Sequence, residues 1–247
     1  MFECSLAIKG HPGEFMHSAQ ANDVRALLAE SPLFGGLADA ELARLAATSR
    51  LIRLARGDCL FNAGEPCQGM HVVASGRMKL FFSSANGHEK VLDIVGRGSS
   101  VDEAEALAET AYTMTAQAMT EARVIRIPRQ AMVDELEADR QLSLKMLFGL
   151  ASREYRMLCE IESCTAHNGV QRVVAFLLGE IPAGQAASPA VDLRLGMAKG
   201  IIASRLGLTQ EHFSRLLKSL SDQGLIHVDQ KQVAIPDVAR LRALLIN

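Results

Sequence analysis

Between Gly207 and Leu220 the chain reads GLTQEHFSRLLKSL, with a carboxylate, a hydroxyl, a guanidinium and an ammonium at Glu211, Ser214, Arg215 and Lys218. Offsets of three, one and three residues place these four groups on one face of a helix. Such a face can read base edges. In the major groove a carboxylate accepts from cytosine N4, and an arginine donates two parallel bonds to guanine O6 and N7. Phosphate repels Glu211, so attraction to a duplex must come from Lys218, Lys199 and Arg205 together with helix N-termini. The competing reading is a solvated Glu211–Arg215 pair on a plain helical hairpin.

The flanking residues decide how this face is held. Ile202, Leu206, Leu208, Phe213, Leu216 and Leu217 have the spacing that locks two short helices together, Gly207 permits a sharp turn and Thr209 caps the second helix. The first turn of that helix then points Gln210, Glu211, Ser214 and Arg215 outward. Gly224 follows as a stop signal, and two short strands around Asp229–Lys231 complete a winged helix-turn-helix. Charge agrees with this assignment. Residues 193–247 hold 8 Lys+Arg against 4 Asp+Glu, whereas residues 1–192 hold 18 against 24. A basic C-terminal module on an acidic body is the footprint of DNA binding by one end.

Upstream, the first 20 residues lack periodicity. Residues 22–50 read as two short helices broken at Ser31-Pro32 and Gly35-Gly36, with Asp39 as the N-cap of the second. From Leu51 to Pro128 the texture changes to seven or eight short β-rich runs, including a hairpin signal at Asn86-Gly87, which predicts a small sandwich or barrel. A long helix is expected over Arg129–Glu162. Leu144, Leu147, Ala151, Leu158 and Ile161 mark one apolar stripe along it, and Leu150, Met157 and Cys164 a second. A helix with two seams can pack on its own domain and on another copy of itself, which predicts a homodimer. The charges at Arg153, Glu154, Arg156 and Glu160 fit a one-sided surface helix equally well. After a boundary near residues 163–168, another helix spans Val170 to Glu180.

The ordered series resembles the Crp/Fnr transcription regulators. The residues that carry it are LFGGLADAELARLA, then Gly57-Asp58, Phe61, Gly64-Glu65-Pro66 and Ser75-Gly76, then NGHEKVLDIVGRGSSVDEAEAL and ARVIRIPR, over roughly residues 31–246. The resemblance implies an α+β chain. Residues 1–128 form an N-terminal tail, short helices and a cyclic-nucleotide-binding-like β-roll effector domain, residues 129–166 a dimerisation helix and hinge, and residues 167–247 the DNA-binding domain. It implies double-stranded DNA, a second copy of the chain and RNA polymerase as partners, with an effector shifting a two-state equilibrium.

Departures from the family pattern narrow the effector. Members that bind cyclic AMP place Gly-Glu and Arg-Ser pairs in the phosphate cassette, where this chain has Asp102-Glu103 and Tyr112-Thr113. Without that arginine, and with an added acid, cyclic AMP is disfavoured. An iron–sulfur cluster is disfavoured as well, because only Cys4 lies near the N-terminus. Glu211, His212, Phe213, Ser214 and Arg215 match the E-x-x-S-R motif of the Fnr type, which implies a TTGAT–N4–ATCAA site. Together these features resemble the Dnr/NnrR-type regulators, which implies nitric oxide sensed through haem. His17, His71, His88 and His167 are then the candidate ligands, or else surface and packing residues. His71 stands out, because it sits in a strand where relatives carry an aromatic. A thiol-redox regulator using Cys59 and Cys67 or Cys159 and Cys164 is the rival, as is a cyclic-nucleotide-binding regulatory module of another class of protein. No nucleophile–base pair stands out, so an enzyme is not expected. The N-terminus does not read as a signal peptide, and no apolar run approaches the length of a membrane span, so the expected location is cytoplasmic.

Overall fold

A computed structural model describes residues 18–84, 89–166, 168–185 and 188–245. The chain divides into two compact units, Met1–Arg153 and Glu154–Asn247.

In the first unit, α1 (Ser18–Ala29) and α2 (Asp39–Thr48) precede eight strands: β1 (Arg50–Leu54), β2 (Cys59–Phe61), β3 (Gly69–Ser75), β4 (Arg77–Ser83), β5 (Glu89–Gly96), β6 (Ser100–Val101), β7 (Thr115–Ala118) and β8 (Ala122–Pro128). A short helix, α3 (Glu103–Ala108), lies between β6 and β7. The strands form two antiparallel sheets, ordered β1-β8-β3-β6 and β2-β7-β4-β5. Successive residues of a strand point to opposite faces, and β3 buries both. Met70, Val72 and Ala74 join a core with Val24, Leu28, Phe34 and Leu45 of the helical opening. Val73 points the other way, into a core with Phe61, Met78, Leu80 and Tyr112. His71 shares that inner face, so the roll has a buried imidazole inside it. The Asn86-Gly87 tip expected between β4 and β5 lies outside the described residues, but the strands on either side pair from Arg77↔Gly96 to Ser83↔Glu89.

Two expectations are corrected here. Asp39 is the first residue of α2 and not its cap. Ala38 holds the cap position, and its N–H donates to the Glu41 carboxylate at 2.6 Å. The helix expected over Arg129–Glu162 is two helices, α4 (Arg129–Ala138) and α5 (Arg140–Ala166). Asp139 breaks it. Its backbone is extended (φ −116, ψ 108), and its Oδ1 accepts from the Gln141 N–H at 2.7 Å, in the manner of a cap for a new helix. The Ser143 hydroxyl bonds back to the Leu136 carbonyl across the break. On α5, Leu142 and Met146 are buried with Leu150 packed beside them, and the division between the units falls within this helix.

The second unit holds α6 (Gly169–Gly179), β9 (Val191–Arg194), α7 (Lys199–Arg205), α8 (Gln210–Asp222), β10 (His227–Asp229), β11 (Gln232–Ile235) and α9 (Val238–Arg242). β9 extends the expected hairpin to three strands, ordered β10-β11-β9. Among the described residues no helix is long and apolar enough to cross a membrane.

Gly76 sets the β3–β4 turn with a φ of 84, and a Cβ built there would lie 2.3 Å from the Glu121 carbonyl oxygen. Positive φ and a backbone clash act together at this position. Gly76→Ala should therefore lower the unfolding free energy by about 2–4 kcal/mol, read by denaturant titration. A loss under about 0.5 kcal/mol would show that the turn relaxes freely.

Candidate functional site

The C-terminal face is built from the turn outward. Gly207 (φ 66) reverses the chain after α7, and Thr209 Oγ1 accepts from the His212 N–H at 3.2 Å to cap α8. Phe213, Leu217 and Leu220 turn inward against Ile202 and Ala203 of α7 and Val173, Val174 and Leu177 of α6. The opposite face of α8 is left with Glu211, Ser214, Arg215 and Lys218 exposed, and Thr209 and Gln210 are exposed at its start. Lys199 is half-buried in the first turn of α7. Among the described residues Glu211 and Arg215 form no ion pair with each other, so both keep their hydrogen-bonding capacity for a ligand. Arg172, which sequence reasoning missed, steadies the turn from α6. Its Nη1 donates to the Leu206 carbonyl at 2.8 Å.

A second polar site surrounds α3. Asp102 precedes the helix in left-handed backbone (φ 67, ψ 17), a conformation that costs a residue with a Cβ about 1–2 kcal/mol. His71 Nδ1 and Asp102 Oδ2 lie 2.9 Å apart, with both side chains almost wholly buried. Burial disfavours both charged forms. It lowers the His71 imidazole to about 3, with Arg126 on the neighbouring strand adding to the effect. It raises the Asp102 carboxyl to about 8, helped by Glu105 and Glu103 and opposed by Arg153. Burial therefore favours a neutral hydrogen bond between the two groups over an ion pair. Tyr112 stacks on Phe61 with ring centroids 3.9 Å apart, and the His71 ring lies 5.5 Å from Phe61. Glu103 is engaged by Arg153 at 2.8 Å, and Glu105 accepts from the Thr113 hydroxyl at 2.6 Å.

Asp102, Glu103 and Tyr112 are thus gathered into one buried site, while Thr113 is exposed at its edge. Glu105, Arg153 and Phe61 complete it. The Glu105 and Arg153 partnerships span 8 and 50 residues of sequence, and no local pattern announces them. As folded, this site does not fit haem. The His71 ring is 2% exposed and closed in by Asp102, Phe61 and Tyr112, so a haem iron could reach its Nε2 only if these side chains part. His17, His88, His167 and Cys4 lie outside the described residues, as does the side chain of Cys164. No group of three or more His, Cys, Asp or Glu among the described residues is placed to hold a metal ion. Cys59 and Cys67 are half-buried and Cys159 is exposed. Burial pushes the Cys67 thiol up, away from the thiolate that redox exchange requires. On α5, Leu144 is half-buried, whereas Leu147, Phe148, Tyr155, Leu158 and Ile161 are between 58 and 69% exposed, with Ala151 also exposed among them.

Comparison with known proteins places both sites in one family. Residues 51–139 match the cyclic nucleotide-binding domain, and residues 171–244 match the Crp-like helix-turn-helix domain. The chain is 31% identical over 196 residues to the transcriptional activator protein Anr of Pseudomonas aeruginosa, covering 77% of this chain and 78% of that protein. It is 27% identical over 194 residues to the fumarate and nitrate reduction regulatory protein of Salmonella typhi, covering 76% of each. FixK2 from Bradyrhizobium japonicum shares the fold, with a TM-score of 0.63 at 19% identity over 79% of this chain and 96% of that one. The chain belongs to the Crp/Fnr family of DNA-binding transcription regulators.

The buried His71–Asp102 pair gives stability a definite pH dependence. Asp102 is raised on folding, so its contribution is complete below about 4 and is lost as pH climbs through about 8. His71 is lowered, so its contribution is complete above 6.5 and is lost as pH falls towards about 3. Between about 4 and 6.5 the two slopes cancel, and from 6.5 to 8 only the Asp102 decline remains. Denaturant titration should show the parent losing about 2 kcal/mol over that interval, with Asp102→Asn flat across it. Parallel curves for the two proteins would contradict the assignment.

Proposed function

We propose that the chain acts as a homodimer that reads a two-fold symmetric duplex site through Glu211 and Arg215, with a cassette around α3 that does not hold cyclic AMP. The observation that carries this reading is the recognition face of α8. It is capped by Thr209, backed by Phe213, Leu217 and Leu220, and turned outward with Glu211, Ser214, Arg215 and Lys218 exposed. Helices held in this way enter the major groove by their N-terminal residues.

Arg215 donates to guanine O6 and N7. Glu211 accepts from the N4 of the paired cytosine or from an adjacent amino group, and Ser214 supports the contact. The match of Glu211-His212-Phe213-Ser214-Arg215 to E-x-x-S-R supports an Fnr-type palindrome, TTGAT–N4–ATCAA, whose half-sites lie about one helical turn apart. The exposed stripe on α5 supports the dimer that such a palindrome requires, since the seam of Leu147, Leu158 and Ile161 is large, apolar and in contact with water in a single chain.

At the cassette, Tyr112 is stacked on Phe61, and no arginine stands at Tyr112-Thr113 to pair a cyclic phosphate. Glu103 and Glu105, buried in the same cassette, oppose an anion further. The nitric-oxide reading is supported only by the resemblance of the motif set. His71 could serve it only through Nε2, and only if the Phe61 and Tyr112 rings that close it in move aside.

In-vitro selection of duplex sites by the intact protein and by Glu211→Ala and Arg215→Ala tests the contacts. The parent should select the palindrome, and each variant should relax preference at its own base pair by about 1–3 kcal/mol. Lys218→Ala should instead weaken all sequences alike and lower the salt slope by about one. Identical sites selected by parent and variants would leave Glu211 and Arg215 as surface residues.

A further inference from the structure

Glu103, the first residue of α3, has a side chain only 5% exposed, where an unpaired carboxylate is costly. Its partner comes from α5. Arg153 Nη1 donates to Glu103 Oε2 at 2.8 Å, and Nη2 donates to the Ser100 carbonyl at 2.8 Å. One guanidinium therefore grips both segments that flank Asp102, the end of the sheet before it and the start of the helix after it. The far end of α3 is held in the same way from α4, where Arg129 Nε donates to the Ala106 carbonyl at 3.0 Å and Arg129 also pairs with Glu109. Glu105 accepts from the Thr113 hydroxyl at 2.6 Å.

The direction of Glu103 depends on the residue before it. Asp102 is held in left-handed backbone, and its carboxyl is bonded to His71 on β3. A return of Asp102 to ordinary backbone would swing α3, and with it Glu103, away from the guanidinium. Strain of this kind persists only where neighbouring contacts enforce it. Here the enforcing contacts are the His71–Asp102 bond on one side and the Arg153 grip on the other.

We propose that Arg153, Glu103, Asp102 and His71 form an internal latch, in which α5 supplies the cation that this acidic cassette lacks and so joins the cassette to the helix without a bound ligand. Arg153 and Glu103 are the two jaws. His71 and Asp102 are positioning residues that keep Glu103 within reach. The device concerns only the first unit, so it stands whether or not the assignment of DNA contacts is right.

Amide hydrogen exchange of the full-length protein tests it, read over residues 100–108 and 140–153 in the parent, Arg153→Met, Glu103→Gln and the double variant. Each single change should speed exchange in both segments on the order of tenfold, and the double should add little more, because both remove the same contact. Asp102→Gly separates latch from strain. Glycine relieves the left-handed backbone and on that ground should slow exchange, whereas loss of the His71 bond should speed it, and Asp102→Asn should retain slow exchange. Unchanged exchange in Arg153→Met, additive effects in the double variant, or slower exchange in Asp102→Gly would overturn the proposal. Should Glu103→Gln fail to fold, the Arg153→Met and Asp102→Gly results decide it.

Discussion

Helix α5 has to satisfy apolar side chains in two directions at once, and the core of the first unit covers one of them. Leu142 and Met146, with Leu150 beside them, are buried against the first unit beside Leu42, Leu45 and Met132. Leu147, Phe148, Tyr155, Leu158 and Ile161 face the other way and remain largely exposed. Burying one large apolar side chain is worth about 1.5–3 kcal/mol, so a stripe of this length is a standing incentive to associate. A second copy of the same helix offers the same stripe, and a two-fold contact is self-complementary by construction. On the proposed reading, a two-fold dimer would cover α5 and offer two recognition helices to one palindrome.

The β-roll is organised on a strand that is buried on both faces. β3 contributes Met70, Val72 and Ala74 to the core beneath the helices and Val73 to the core of the roll, so its backbone is pinned from both faces. His71 shares the inner face and rests against Phe61 and Tyr112. With few aromatics in the chain, this stack is a large part of what fills the roll on that side. Asp102 is hydrogen-bonded to His71 and Glu103 is paired with Arg153, so both acids already have partners within the protein.

Local pattern made much of the architecture legible. The spacing of Ile202, Phe213 and Leu217, with Gly207 between the helices, specified the helix-turn-helix, because a 3.6-residue period and a left-handed glycine are properties of short segments. The short β-rich runs between Leu51 and Pro128 became eight strands for the same reason. What escaped was one local stop and several contacts between residues distant in sequence. Asp139 breaks a helix through its own side-chain bond to the Gln141 N–H, where no glycine or proline marks the stop. β9 is only four residues long, and its Val191 and Leu193 become a strand by pairing with Ile235 and Val233. Arg153 read as a charge interrupting a seam, and its contact with Glu103 exists only once β6, α3 and α5 are assembled.

In the proposed reading two copies of the recognition helix act together on one duplex. Native mass spectrometry of the protein titrated onto a duplex carrying TTGAT–N4–ATCAA, and onto one carrying a single half-site, measures this directly. Two chains per palindromic duplex, with no stable one-chain intermediate and weak binding to the single half-site, is the result the account predicts. One chain per duplex, bound equally well to the palindrome and to the half-site, would contradict it.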